Sequence, residues 1–136
     1  MALSQRRLER QDSSPRYWAI AADPRRYRIR DAVADLTTDW WTTKDKPIRA
    51  GDKAIIWQTR DSAGRRGVVA LGEIAANPEL RSDAGNPHWV SPQDAATTAD
   101  RCQVRYIPIT EPLWVDGPQR ELLNTLSVCS DIWQPR

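Results

Sequence analysis

The sequence predicts a small α+β barrel. Short runs of apolar, strand-forming residues recur along the chain, bounded by Gly, Pro and Asp, whereas helical spacing is rare. Gly67 and Gly72 lie inside the longest run, as glycines do where a strand bulges or where backbones approach closely at a barrel corner. Several short strands with few helices favour a barrel over a helix bundle.

The first predicted elements are a strand, a helix and a loop. Tyr17–Ala22 is an apolar strand that an Asp-Pro step ends. Tyr27–Leu36 has apolar residues near helical spacing, which predicts a short amphipathic helix. Trp40 and Trp41 follow among small polar residues (DLTTDWWTTK), and we interpret this stretch as a loop.

The rest of the chain alternates between predicted strands and turns, followed by a short helix and one final element. Residues 77–100 contain three prolines and little periodicity, so we predict a long functional loop there. The other predicted elements are a strand over Lys53–Thr59, a hairpin turn over Asp61–Gly64, strands over Gly67–Ala75 and Cys102–Ile109, a helix over Pro118–Leu126 and a final element over Val128–Trp133.

The length of 136 residues fits one domain. Residues 1–15 are polar and Arg-rich, so we expect a flexible arm followed by a single domain over residues 16–136.

The net charge is only +2, but residues 1–30 hold eight Arg against three acidic residues. This basic end on a nearly neutral body indicates an anionic partner.

Several classes of protein are disfavoured by what the sequence lacks. It contains no phosphate-binding glycine motif, no HExxH and no GxSxG, and its acidic residues are scattered, so we do not expect an enzyme. Cys102, Cys129 and the single His88 form no zinc-binding pattern, and we expect no metal and no cofactor. Because no apolar run reaches the roughly 20 residues of a membrane helix and no signal peptide is evident, we expect a cytoplasmic protein.

The aromatic composition is the most informative feature, with seven Trp, three Tyr and no Phe. Trp18, Trp57, Trp114 and Trp133 are interpreted as packing residues. Trp40, Trp41 and Trp89 fall in predicted loops, where two loops with one Trp each could form a slot for a planar ring. Base stacking is worth about 1–3 kcal/mol, but a satellite cluster that fixes the loops explains the same residues.

Basic residues near these aromatic residues are candidate phosphate contacts, because Arg binds phosphate in bidentate geometry. The alternative is a solvated helix face and a solubilising hairpin tip. The candidate residues are Arg25, Arg26, Arg28, Arg30, Lys44, Arg65 and Arg66.

An ordered set of motifs over residues 17 to about 115 resembles the EVE domain, a PUA-like relative of the YTH domain. The set consists of Tyr17-Trp18, Asp23-Pro24, the Trp40-Trp41 pair, Ile48–Trp57, Gly67–Ile74, Asn86–Trp89 and Cys102–Tyr106. The resemblance implies a PUA-like mixed barrel of about five or six strands with short peripheral helices. It also implies a pocket for one flipped, modified base. EVE domains are associated with reading 5-methylcytosine or 5-hydroxymethylcytosine in DNA, often as modules fused to restriction nucleases, and YTH domains read methylated adenine in RNA.

The family's aromatic pocket walls match Trp41, or its neighbour Trp40, and Trp89. The residue that borders the base edge matches Asp23, whose carboxylate can accept a hydrogen bond from an exocyclic amino group. Ala22 and Trp18 complete the expected base-binding set, and we expect Trp41 rather than Trp40 to face the pocket.

The expected partner is therefore nucleic acid, with modified DNA preferred and a methylated-adenine RNA as the alternative. We expect a monomeric module, nucleoid-associated in a bacterial cytoplasm. Family members usually continue through another strand and helix, so we also expect this chain to be a module cut from a longer protein with a nuclease domain downstream.

Overall fold

A long antiparallel hairpin forms the centre of the sheet, and shorter strands extend it on both sides. The computed structural model describes residues 14–115 and 132–133. The elements in chain order are β1 Tyr17–Ala22, α1 Ile29–Asp35, β2 Thr38–Thr42, β3 Lys53–Gln58, β4 Gly67–Arg81, α2 Pro92–Ala96, β5 Ala99–Trp114 and β6 Ile132–Trp133.

The strand order is β2-β5-β4-β3-β1-β6, and the sheet is mixed. β1 pairs in parallel with β3 and β6, whereas the other neighbours are antiparallel. Within residues 14–115 and 132–133, no strand pairing joins β2 to β6, so the sheet is open at these two edges. The mixed sheet with short helices confirms the α+β prediction, but the closed barrel that the sequence predicted is not formed by these pairings.

The predicted strands over Tyr17–Ala22 and Lys53–Thr59 are confirmed, as is the helix, which is shortened to Ile29–Asp35. Residues 77–100 were predicted as one loop, which is wrong at both ends. β4 continues to Arg81 through register shifts and β5 begins at Ala99, while residues 82–98 form a loop that contains the short helix α2. The predicted helix Pro118–Leu126 and most of the arm over residues 1–15 lie outside the described residues.

The prediction of a loop around the Trp pair is also wrong. Residues 38–42 form β2, in which Trp40 pairs with Gln103 and Trp41 with Cys102 of β5. Burial alternates along the strand, so Asp39 and Trp41 face the core while Trp40 faces outward. Thr and Trp are good strand formers, and this two-residue period decides which indole is inside.

Close backbone contact explains the glycine at the start of β4. A Cβ atom on Gly67 would lie 2.1 Å from the carbonyl oxygen of Leu113 on β5. At Gly72, a Cβ would lie 2.8 Å from Cγ1 of Val104. These glycines therefore let β4 and β5 approach each other, as the sequence predicted.

Replacing Gly67 with Ala should lower the free energy of unfolding by about 3 kcal/mol, the upper end of the usual cost of overpacking. The matched control is Gly51→Ala, where φ is +96° but no atom lies within 4 Å of the added Cβ. There the cost is only that of a left-handed backbone, about 1–2 kcal/mol. Urea unfolding of both variants measures the difference, and equal losses would contradict the steric explanation.

Candidate nucleic-acid interface

Three large aromatic side chains pack together where β2, the segment before α1 and the β4–α2 loop meet. The ring of Tyr27 contacts both neighbours edge-on, with centroid distances of 6.4 Å to Trp41 and 4.9 Å to Trp89. Tyr27 and Trp41 are fully buried, and Trp89 is almost so. Tyr27 therefore packs against both indoles.

The cluster is fixed by hydrogen bonds to the buried carboxyl group of Asp39. Its Oδ2 accepts from the hydroxyl groups of Tyr27 and Tyr106, each at 2.5 Å. The Tyr106 hydroxyl in turn accepts from Nε1 of Trp41 at 2.9 Å. Since buried polar groups are costly unless bonded, these contacts hold β2, β5 and the segment before α1 in one arrangement.

A second buried carboxyl group fixes Trp89. Its Nε1 donates to Oδ2 of Asp83 at 2.7 Å, and Nδ2 of Asn86 donates to the same oxygen at 3.0 Å. Asn86 also donates to the Tyr27 hydroxyl at 2.9 Å, which joins the two networks. The loop that carries Trp89 is thus rigidly attached to the core.

A cavity of about 260 Å³ opens beside Trp89. The guanidinium group of Arg101 lies in its wall, 5.9 Å from the Trp89 ring centroid, and donates to the carbonyl oxygens of Arg81 and Thr97. Arg101 is only 1% exposed, so its charge is held in a fixed position. The cavity combines cationic, acidic and small side chains with one aromatic ring: Arg26, Lys44, Arg101, Asp45, Asp94, Asp100, Thr42, Thr97, Ala99 and Trp89.

The structure places the predicted aromatic walls differently from the expected open slot. Trp89 lines the cavity, but Trp41 is 0% exposed and is not among its lining residues. The ring of Tyr27 packs edge-on against both Trp41 and Trp89. Trp40 lies on the opposite face of β2, where the guanidinium carbon of Arg81 is 3.9 Å from its ring centroid.

The other expected base-binding residues lie along β1 or at its end. Ala22 is buried, and Asp23, which follows it, is half-buried. Both carboxylate oxygens of Asp23 accept hydrogen bonds from Arg25, at 2.9–3.1 Å. Trp18 lies near the other end of β1, where its Nε1 donates to Asp52 at 2.9 Å. The structure therefore does not bring Trp18 to the same place as Asp23.

All seven predicted phosphate contacts are exposed, but they have different surroundings. Arg26 and Lys44 border the cavity, and Nη1 of Arg28 donates to the carbonyl oxygens of Pro87 and Trp89, both at 3.3 Å. Arg30 and Arg65 lie over the ring of Trp114. Arg25 pairs with Asp23, and Arg66 lies beside Arg65 in the β3–β4 turn.

Sequence reasoning missed the buried framework and the wall opposite Trp89. Arg101 lies between the predicted loop and the predicted strand over Cys102–Ile109 and was assigned to neither, and α2, which places Asp94 in the cavity, lies within the predicted loop. The one available signal was the absence of Phe, because Tyr27 and Tyr106 both use their hydroxyl groups.

In the part of the chain that the structure describes, no group of three or more His, Cys, Asp or Glu residues is placed to hold a metal ion. None of the helices in that part has the length and apolar character needed to cross a bilayer.

Comparisons with known proteins agree with this architecture. The family model described as the EVE domain matches residues 16–128. A hypothetical protein from Leishmania major is structurally similar, with 14% identity over 84% of this chain and 83% of that chain, and a TM-score of 0.50. The DUF55 domain of human thymocyte nuclear protein 1 gives 15% identity, 82% and 86% coverage, and a TM-score of 0.47. No curated protein matches the chain. At such low identity, the Leishmania structure supports the fold alone.

Replacing Tyr106 with Phe should lower the free energy of unfolding by at least about 2 kcal/mol, because Asp39 loses a donor and Trp41 loses its acceptor in a buried site. Tyr17→Phe is the matched control, since Tyr17 is 67% exposed, and its effect should stay within about 0.5 kcal/mol. Chemical denaturation of the two variants measures both values. Equal small effects would show that the network contributes nothing to stability.

Arg25→Ala should raise the pKa of Asp23 towards its ordinary value, because hydrogen bonds from the Arg25 side chain are the main cause that lowers it. A lowered folded-state pKa stabilises the protein above the unfolded value of about 3.9, and this contribution is lost as the pH falls through the folded pKa. An NMR titration of the Asp23 carboxyl measures the change, with Arg60→Ala as the control. An unchanged Asp23 titration in Arg25→Ala would show that Arg25 does not lower the pKa of Asp23.

Proposed function

This chain belongs to the EVE domain family, and we propose that it is a nucleic-acid-binding module that holds one unstacked base in the cavity beside Trp89. The observation that carries the proposal is the cavity itself, in which a fixed indole lies next to the buried guanidinium group of Arg101. Arg26 and Lys44 at its border are suited to the phosphates that flank such a base.

The cavity offers the groups that the edge of a base requires. The buried positive charge of Arg101 favours an electron-rich ring edge, while Asp45, Asp94 and Asp100 can accept from an exocyclic amino group. Its volume of about 260 Å³ lies just below the roughly 300–1,000 Å³ of pockets for drug-sized ligands. This size favours a single ring over a larger ligand.

We propose 5-methylcytosine or 5-hydroxymethylcytosine in DNA as the ligand, since the cavity also has small apolar groups on Ala99 and Thr42. Burial of one methyl group is worth about 0.8 kcal/mol, which is a few-fold in affinity. A hydroxymethyl group adds a hydrogen-bonding oxygen and could be recognised more strongly. Extrusion of the base costs a few kcal/mol, comparable with the stacking on Trp89.

Such a module would suit the targeting of a modification-dependent restriction nuclease, because recognition is then separate from cleavage. Trp41 and Ala22 would act from the buried side by keeping Tyr27 and Trp89 in place. Adenine also carries an exocyclic amino group, so the same three carboxylates would serve a methylated adenine in RNA, the alternative ligand.

Trp89→Ala should weaken binding to an oligonucleotide with the preferred base by about 5- to 150-fold, the equivalent of about 1–3 kcal/mol of stacking. Fluorescence anisotropy would compare cytosine, 5-methylcytosine and 5-hydroxymethylcytosine in one DNA duplex, and adenine and methylated adenine in one RNA.

Trp89→Phe is the matched control, because it keeps an aromatic face and loses only the bond from Nε1 to Asp83. It should retain most of the affinity. Thermal unfolding would verify that both variants are folded. Equal affinity of the wild-type protein for modified and unmodified ligands would refute base reading.

A further inference from the structure

Two arginines that are distant in sequence share one aromatic ring on the surface. The guanidinium carbons of Arg30, at the start of α1, and Arg65, in the β3–β4 turn, lie 5.6 Å and 5.0 Å from the ring centroid of Trp114. Trp114 ends β5 and is half-buried against the core. Both guanidinium groups therefore lie within 6 Å of one ring centroid, a position that cation–π attraction makes favourable.

Both arginines keep donors available for an external ligand. Over residues 14–115 and 132–133, the Arg30 side chain forms no ion pair or hydrogen bond. Asp61 accepts from Nε of Arg65 at 3.1 Å and pairs with its Nη2 at 3.0 Å. Asp61 thus orients Arg65 and leaves Nη1 without an acceptor in that part of the chain. Two oriented guanidinium groups are suited to the tetrahedral oxygens of a phosphate.

Arg28 links the Arg30–Arg65 pair to the Trp89 cavity. Arg28 donates to the carbonyl oxygen of Trp89 and borders a second cavity of about 180 Å³ together with Arg30 and Asp61. Asp31 also borders this second cavity. Its lining has two arginines, Arg28 and Arg30, and two aspartates, and Arg65 adds a third guanidinium group through its ion pair with Asp61.

We propose that Arg30 and Arg65 form a preorganised phosphodiester-binding site outside the Trp89 cavity, with Trp114 as the positioning residue. The ligand is the nucleic-acid backbone beyond the extruded base. This assignment rests on the proposed function only in taking nucleic acid as the partner. It requires no particular base in the cavity, so it predicts a contribution to binding that is the same for every sequence.

The test is the salt dependence of binding to an unmodified DNA duplex. Each phosphate contact contributes roughly 0.9 to the slope of log K against log salt concentration. The Arg30→Gln, Arg65→Gln double variant should therefore reduce the magnitude of the slope by about 2. Arg60→Gln, in the same turn as Arg65, should leave it unchanged.

Trp114→Leu separates positioning from charge, because it removes the aromatic face and retains every arginine. It should reduce the slope and leave the ratio of modified to unmodified affinity unchanged, an effect that simple loss of stability would not produce. If this variant does not fold, the double variant decides. A wild-type slope in the folded variants would overturn the site.

Failure of the proposed function can be distinguished from failure of the phosphodiester-binding site. If the wild-type protein binds no nucleic acid, both proposals fall. If it binds modified and unmodified DNA equally, but the double variant still reduces the slope, only base reading is refuted and the phosphodiester site stands.

Discussion

The burial of the Asp39 carboxyl group is the constraint on which the rest of the structure depends. A carboxyl group in the core destabilises the fold unless donors surround it, and here Tyr27 and Tyr106 supply them. The same need recurs at Asp52 and Asp83, which accept from the indole Nε1 of Trp18 and Trp89. At these positions Phe could not replace Trp or Tyr without loss of a bond, because the side chains of Trp18, Tyr27, Trp89 and Tyr106 donate to buried carboxyl groups.

The candidate site is the outer side of this framework. Asp39 and Asp83 fix Tyr27 and Trp89, and the cavity opens where the framework ends, between the segment after β2 and α2. A binding surface that is held by packed and bonded side chains loses little entropy when a ligand arrives, so its affinity depends on preorganisation more than on area. The guanidinium group of Arg101 follows the same principle, because two backbone carbonyl groups orient it.

The sequence was sufficient to predict those strands whose buried positions are occupied by apolar residues. β1, β3 and the first half of β4 are continuous apolar runs, and the resemblance to the EVE domain was confirmed over residues 16–128. The sequence did not predict strand β2, because the inward face of that strand consists of Asp39 and Trp41. No local pattern marks an Asp as a core residue when its donors lie 12 and 67 positions away. The burial of Arg101 was missed for a similar reason, because the carbonyl groups that allow it belong to Arg81, at the end of β4, and to Thr97, after α2.

The joined hydrogen bonds also limit how the protein can evolve. Asp39, Tyr27 and Tyr106 form a unit in which replacing any one residue removes a hydrogen bond from a buried neighbour, so we expect substitutions at these three positions to be selected against unless they occur together. Lys44, Asp45 and Thr97 belong to the cavity but not to this unit. Lineages of the family could therefore exchange these lining residues and acquire new ligands while they inherit the same framework.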